Sequence, residues 1–85
     1  MEINIFYHDN LEALYTKVLK DANKINAVIE GDISSGSFAI KILGSNYLGR
    51  YKFNNQVITI FIDQKPFFIS KNMIEQAIRT YIFNC

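Results

Sequence analysis

The chain has 85 residues, 49% of them hydrophobic and 14% aromatic, with nine Lys/Arg against eight Asp/Glu for a net charge of +1. This length allows one domain, residues 1–85, with a small core, and the composition excludes a disordered chain. The charge balance argues against the many phosphate contacts of avid nucleic-acid binding, and against a polybasic membrane anchor.

Glu2–Tyr7 alternates loosely, is rich in Ile, Phe and Tyr, and reads as a short strand. His8-Asp9-Asn10 breaks that pattern. Asp9, with Glu12 three residues on, predicts a helix start resembling a capping box. Leu11, Leu14, Tyr15, Val18, Leu19 and Ala22 follow at helical spacing as one apolar stripe. Asn23 predicts the stop, because asparagine tolerates the left-handed conformation after a helix. Ile25–Glu30 is a second strand candidate, and Gly31-Asp32 and Ser34-Ser35-Gly36 punctuate the chain after it.

Three alternating stretches come next: Ser37–Leu43, Tyr47–Phe53 and Val57–Asp63. Gly44-Ser45-Asn46 predicts the first turn between them, and Asn54-Asn55 the second, since Asn accepts positive φ. Lys65-Pro66 ends the sheet, because proline cannot donate to a central ladder. Ser70 predicts an N-cap for a helix over Ser70–Phe83, with Ile69 and Ile74 at the two positions of a hydrophobic staple. Ile74, Ala77, Ile78, Tyr81 and Ile82 form its stripe, and Glu75–Arg79 is an i,i+4 ion pair. The expected class is α+β in the order β-α-β-β-β-α, an antiparallel meander with two helices packed on one sheet face.

Residues that announce chemistry are scarce. His8 is the only histidine, and at a strand–helix junction it reads more simply as a cap or surface residue than as a general base. Cys85 is the only cysteine, which excludes an internal disulfide and fits a reducing compartment. It is a poor place for an oriented nucleophile. Glu30-Gly31-Asp32 brings two carboxylates close in sequence, but a Gly- and Ser-rich turn predicts solvated acids. One His and one Cys do not make a zinc site, and Asp32–Gly36 lacks the ligand density of a calcium loop. Gly31, Gly36, Gly44 and Gly49 form no phosphate-binding string. Gly49 lies inside a strand, where close approach of a helix is the expected reason. These readings predict no catalytic residues, no metal and no cofactor. The N-terminal stretch lacks a basic region and a long apolar run, so no secretory leader is expected. No segment is apolar for long enough to span a bilayer. The expected location is the cytoplasm.

The second sheet face is the candidate site. Lys41, Leu43, Leu48, Arg50, Lys52, Val57 and Phe61 are its candidate interface residues, with Ala39 and Thr59 beside them. A face that is half apolar and locally basic suits a protein partner, self-association, an apolar surface or an anionic ligand. The plainer alternative is a solvated face on which long basic stems cover hydrocarbon. An α-β-β-β-α order also belongs to double-stranded-RNA-binding domains. Those place a lysine cluster at the start of their last helix, where this chain has Ser70-Lys71-Asn72-Met73 with one lysine, so no nucleic-acid partner is expected.

Ile3, Ile5, His8, Gly31-Asp32, Phe38, Gly44, Gly49, Pro66 and Ile74-Glu75 follow one another in an order and spacing with a known counterpart. In them the chain resembles the small proteins of the polyhydroxyalkanoic acid system, or granule-region, family over nearly its whole length. It departs from that pattern in a longer Gly31–Gly44 segment, and in Val28-Ile29-Glu30 where an aromatic often precedes Gly-Asp. The resemblance implies an accessory, non-enzymatic protein associated with storage-polyester granules or their proteins, and carries no catalytic residue to this chain. The alternative is a carrier of a small apolar ligand held between helices and sheet, suggested by the many aromatics.

Overall fold

The computed structural model describes residues 1–83; Cys85 lies outside them. Five strands form one open sheet in the order β1-β5-β4-β3-β2, with every neighbour antiparallel. They are β1 (Glu2–Phe6), β2 (Val28–Gly31), β3 (Ser35–Ile42), β4 (Ser45–Asn54) and β5 (Val57–Gln64). Helix α1 (Leu11–Ala22) joins β1 to β2, and α2 (Lys71–Phe83) follows β5. The α+β class is as expected, and β2 to β5 form the meander. The order is β-α-β-β-β-β-α, one strand longer than expected, because the second strand candidate is real. It runs Val28–Gly31 rather than Ile25–Glu30.

Alternation sets the two faces. Ile3 pairs with Ile60 and Ile5 with Ile58 across β1–β5, and Tyr51 and Phe53 continue those rows on β4. These side chains share the inner face, against which Leu14 of α1 and Ile82 of α2 join one core with Ile3, Ile5, Ile60 and Ile62. Both helices therefore cover the same side. Ile3 and Ile5 are the most completely buried large side chains, each contributing about 1.5–3 kcal/mol by removal from water.

Caps and turns differ from the expected positions by a residue or more. The N-cap of α1 is Asn10, not Asp9: its Oδ1 accepts from the Ala13 N–H at 3.0 Å, while Asp9 Oδ1 accepts from the Asn10 N–H at 2.9 Å. After α1, Asn23 keeps helical dihedrals and Asn26 takes the left-handed conformation at φ 56°. The Ala27 N–H then reaches back to the Ala22 carbonyl at 3.0 Å, a Schellman-type closure. The β3–β4 turn centres on Leu43-Gly44 and the β4–β5 turn on Asn55-Gln56, all four at positive φ. That is the I′ arrangement whose twist suits a two-residue hairpin.

Ser70 does cap α2, its Oγ accepting from the Met73 N–H at 3.2 Å, and Glu75–Arg79 is an ion pair at 3.0 Å. Within the expected α2 stripe, Ile82 is buried and Ile74 and Ile78 half-buried, but Ala77 is exposed. Gly49 is not overlaid by a helix. A Cβ there would overlap the ring of Phe38, its cross-strand partner, and the Phe61 carbonyl oxygen, where the β4–β5 register shifts. An aromatic over a strand glycine restores packing that glycine lacks.

Candidate interface on the outer sheet face

The outer face carries the other half of each alternation, and its cross-strand rows can be read from the pairing. Phe6 and Val57 with Asn54 make the row at one end. Asn4, Thr59, Lys52 and Ser35 make the next, then Glu2, Phe61, Arg50, Ser37 and Glu30. Leu48, Ala39 and Val28 make the row toward the other end. Neither α1 nor α2 covers these rows, because both pack on the inner side.

The structure brings three of the candidate residues together. The Phe61 ring is half-buried between Arg50, whose guanidinium carbon is 4.8 Å from its centroid, and Lys52, whose Nζ is 5.6 Å away. Both distances suit cation–π attraction. Phe61 is thus shielded by side chains of its own face, not by a helix. Leu48 and Val57 lie on the same face but in separate rows to either side. Lys41 is exposed on β3. Leu43 is not on the face: it occupies the β3–β4 turn, fully exposed.

Sequence reasoning missed the partner of Arg50. Asp63 accepts from Arg50 Nε at 2.9 Å and from Nη2 at 2.8 Å, a two-bond fork. That bonding lowers the Asp63 carboxyl below its ordinary value and raises the Arg50 guanidinium. With Glu2 and Glu30 also on this face, its three cations face three acids, and the locally basic character expected from Lys41, Arg50 and Lys52 disappears. Phe6 and Val28, both exposed, extend its apolar area. Their alternation with buried neighbours was the available signal. Between the apolar rows runs a hydrogen-bonded strip: Thr59 Oγ1 donates to Asn4 Oδ1 at 2.8 Å, and Asn4 Nδ2 to Glu2 Oε2 at 2.9 Å.

His8 and Asp32 have structural partners. His8 is exposed and its ring lies tilted against Phe6, with centroids 4.4 Å apart. Asp32 folds the β2–β3 turn by accepting from the Ser34 and Ser35 N–H groups at 2.8 and 3.1 Å. The Tyr51 hydroxyl donates to the Asp32 carbonyl at 2.7 Å and ties that turn to β4. Burial, with Tyr15 beside it, pushes the Tyr51 phenol up to about 12. No group of three potential metal ligands occurs among the described residues. Two hollows among them are open: one lies along the exposed side of α1, the other over Glu30, Arg50, Lys52 and Phe61. Neither is enclosed between the helices and the sheet. No helix of the described residues is long and apolar enough to cross a membrane. No protein-family model matches the chain, and no curated protein or solved structure matches it.

Proposed function

We propose that this protein is a small, non-enzymatic accessory module of the cytoplasm that binds through the outer face of its sheet. The observation that carries the reading is that face itself. Leu48, Val28 and Phe6 remain exposed there, and Val57 and Phe61 half-buried, while every element outside the sheet packs on the opposite side. Exposed apolar side chains in several rows of one face are characteristic of a surface that another body covers. The occupant we favour is a second copy of the chain, sheet against sheet. The paired charges around Phe61 then lie where ions steer association more than they hold it. The resemblance to the polyhydroxyalkanoic acid system family supports a storage-polyester granule, or a granule protein, as the setting. A carrier of a small apolar ligand has less support, because isoleucines and leucines from sheet and helices meet in the space it needs.

Sedimentation from low to high micromolar concentration tests the dimer. Self-association that weakens in Phe61→Lys, with unchanged circular dichroism, supports it. A wild-type chain that stays monomeric rules it out. Cosedimentation with purified polyhydroxyalkanoate particles tests the granule setting separately, and equal recovery with and without particles would reject it.

A further inference from the structure

A second exposed apolar region lies at one end of the molecule, separate from the sheet face. Strand β5 stops at Gln64, level with Leu48, and β2 starts at Val28, level with Ala39. The β3–β4 hairpin continues past both, so its tip at Ile42-Leu43-Gly44 protrudes. At that tip Leu43 is 100% exposed and holds φ 51°. Asn or Gly adopts this backbone at least cost; leucine is strained there. The side chain therefore bears an unfavourable backbone and full hydration with no contact in return. The turn demands that backbone, and Gln56 meets the same demand in the β4–β5 turn; what sets Leu43 apart is a large apolar side chain left wholly exposed.

The chain leaving β5 emerges at the same end. There Phe67 is 94% and Phe68 65% exposed, their rings packed edge to face with centroids 5.6 Å apart. The turn that presents them is closed by the Ile69 N–H to the Pro66 carbonyl at 3.1 Å, and the Ser70 cap follows at once. It is a held wedge rather than a loose tail.

The charged residues nearest these side chains in sequence are Lys41, Lys65 and Lys71. Asp21, Asp63 and Glu75 are each neutralised in an ion pair, with Lys17, Arg50 and Arg79 respectively. Glu2 is set back level with Phe61 and Arg50. Lys41, Lys65 and Lys71 belong to no ion pair among the described residues, and they flank the hairpin tip and the phenylalanine wedge in sequence; Lys65 is half-buried, its Nζ donating to the Pro66 carbonyl at 3.5 Å. A net charge of only +1 hides this segregation.

We propose that this end docks on an anionic phospholipid bilayer, with Leu43, Phe67 and Phe68 entering the interface and the three lysines meeting the headgroups. Apolar side chains at a rim supply insertion, and lysines outside any ion pair supply attraction to acidic lipid. Neither is strong alone, and buried apolar area and attraction to anionic lipid add. This surface shares only Lys41 with the outer sheet face.

The test is cosedimentation of the full chain with vesicles of phosphatidylcholine containing about a third phosphatidylserine, against vesicles of phosphatidylcholine alone. The wild type should bind the acidic vesicles, and added salt should weaken binding. Joint replacement Phe67→Ser and Phe68→Ser should lower affinity at least about tenfold. Each of Lys41→Gln, Lys65→Gln and Lys71→Gln should lower it about fivefold. Leu43→Gly should bind less while melting at a higher temperature, a pairing of signs that loss of structure cannot produce. Phe61→Ser, on the other surface, should bind as the wild type does. The proposal is overturned by absence of binding to acidic vesicles, by equal binding to neutral ones, or by phenylalanine variants that bind unchanged. It is also overturned if those variants abolish a dimer formed without lipid, which would make this end a contact between copies.

Discussion

The inner and outer faces of the sheet are built from the same strands, yet they solve different problems. The inner face is aliphatic at its centre, and Ile3, Ile5, Ile60 and Ile62 are closed off by Leu14 and Ile82. The outer face alternates apolar rows with polar ones, and satisfies its polar groups sideways: Thr59 to Asn4, Arg50 to Asp63, Lys52 over Phe61. The difference teaches that alternation decides which residues share a face, but not what each face is for. Stability resides in the covered face, so substitutions there should unfold the chain. Those on the open face should alter association and leave the fold standing.

Ile60→Ala tests that division most severely. Ile60 sits between β1 and β4, 9% exposed, and truncation of such a residue costs about 2–5 kcal/mol. Urea denaturation measures it, and a loss under about 1 kcal/mol would mean the face does not carry the core.

Gly49→Ala asks whether the boundary between the faces is as tight as the packing implies. The added methyl meets the Phe38 ring, which can turn aside, and the Phe61 carbonyl oxygen, which is backbone and cannot. We expect a loss of about 1–3 kcal/mol, the usual cost of overpacking. A neutral result would show that the β4–β5 irregularity relaxes freely.

Much of this arrangement was legible in the chain. Period-two alternation located the three long strands and their faces, and helical spacing with Ser70 located α2. What escaped was governed by local backbone chemistry or by long-range contact. Both hairpin turns fall one residue away from the expected Gly and Asn positions, because Leu43 and Gln56 accept positive φ that their residue types do not advertise. The helix start moved from Asp9 to Asn10, as either side chain can cap. Asp63 was visible as an outer-face residue, but its pairing with Arg50 needed the register of β4 against β5. Phe67 and Phe68 lie between Pro66 and the Ser70 cap, outside any periodic element, so no pattern pointed to them.

Leu43→Gly moves in the opposite direction from the core variants. Leu43 is outside both faces, and its replacement removes no contact while relieving positive φ. The expected gain is about 1 kcal/mol, offset in part by the greater freedom of glycine when unfolded. Thermal melting measures it. A clear loss of stability would show that Leu43 packs on something, and would remove the strain argument for a role at the hairpin tip.

The smallest effect comes from the outer-face ion pair, and its sign is set by linkage. The Arg50 hydrogen bonds, and then its charge, hold the Asp63 carboxyl below its ordinary value of 3.8 in the folded chain. A carboxyl that binds its proton less readily when folded favours the folded state once ionised. That contribution is present above the unfolded value and is lost as pH falls through the lowered folded one. Asp21 behaves alike, held down first by the Tyr81 hydroxyl and then by Lys17. Both pairs are open to water, so salt screens them and the effect at neutral pH is small. Asp63→Asn should therefore leave the neutral-pH urea midpoint nearly unchanged and flatten the fall in stability on acidification. The slope should shrink further in the double variant with Asp21→Asn. Acid limbs that superimpose for wild type and Asp63→Asn would mean that the fork orders the outer face around Phe61 without stabilising the fold. An Asp63→Asn loss at neutral pH as large as that of Ile60→Ala would instead break the division between the two faces.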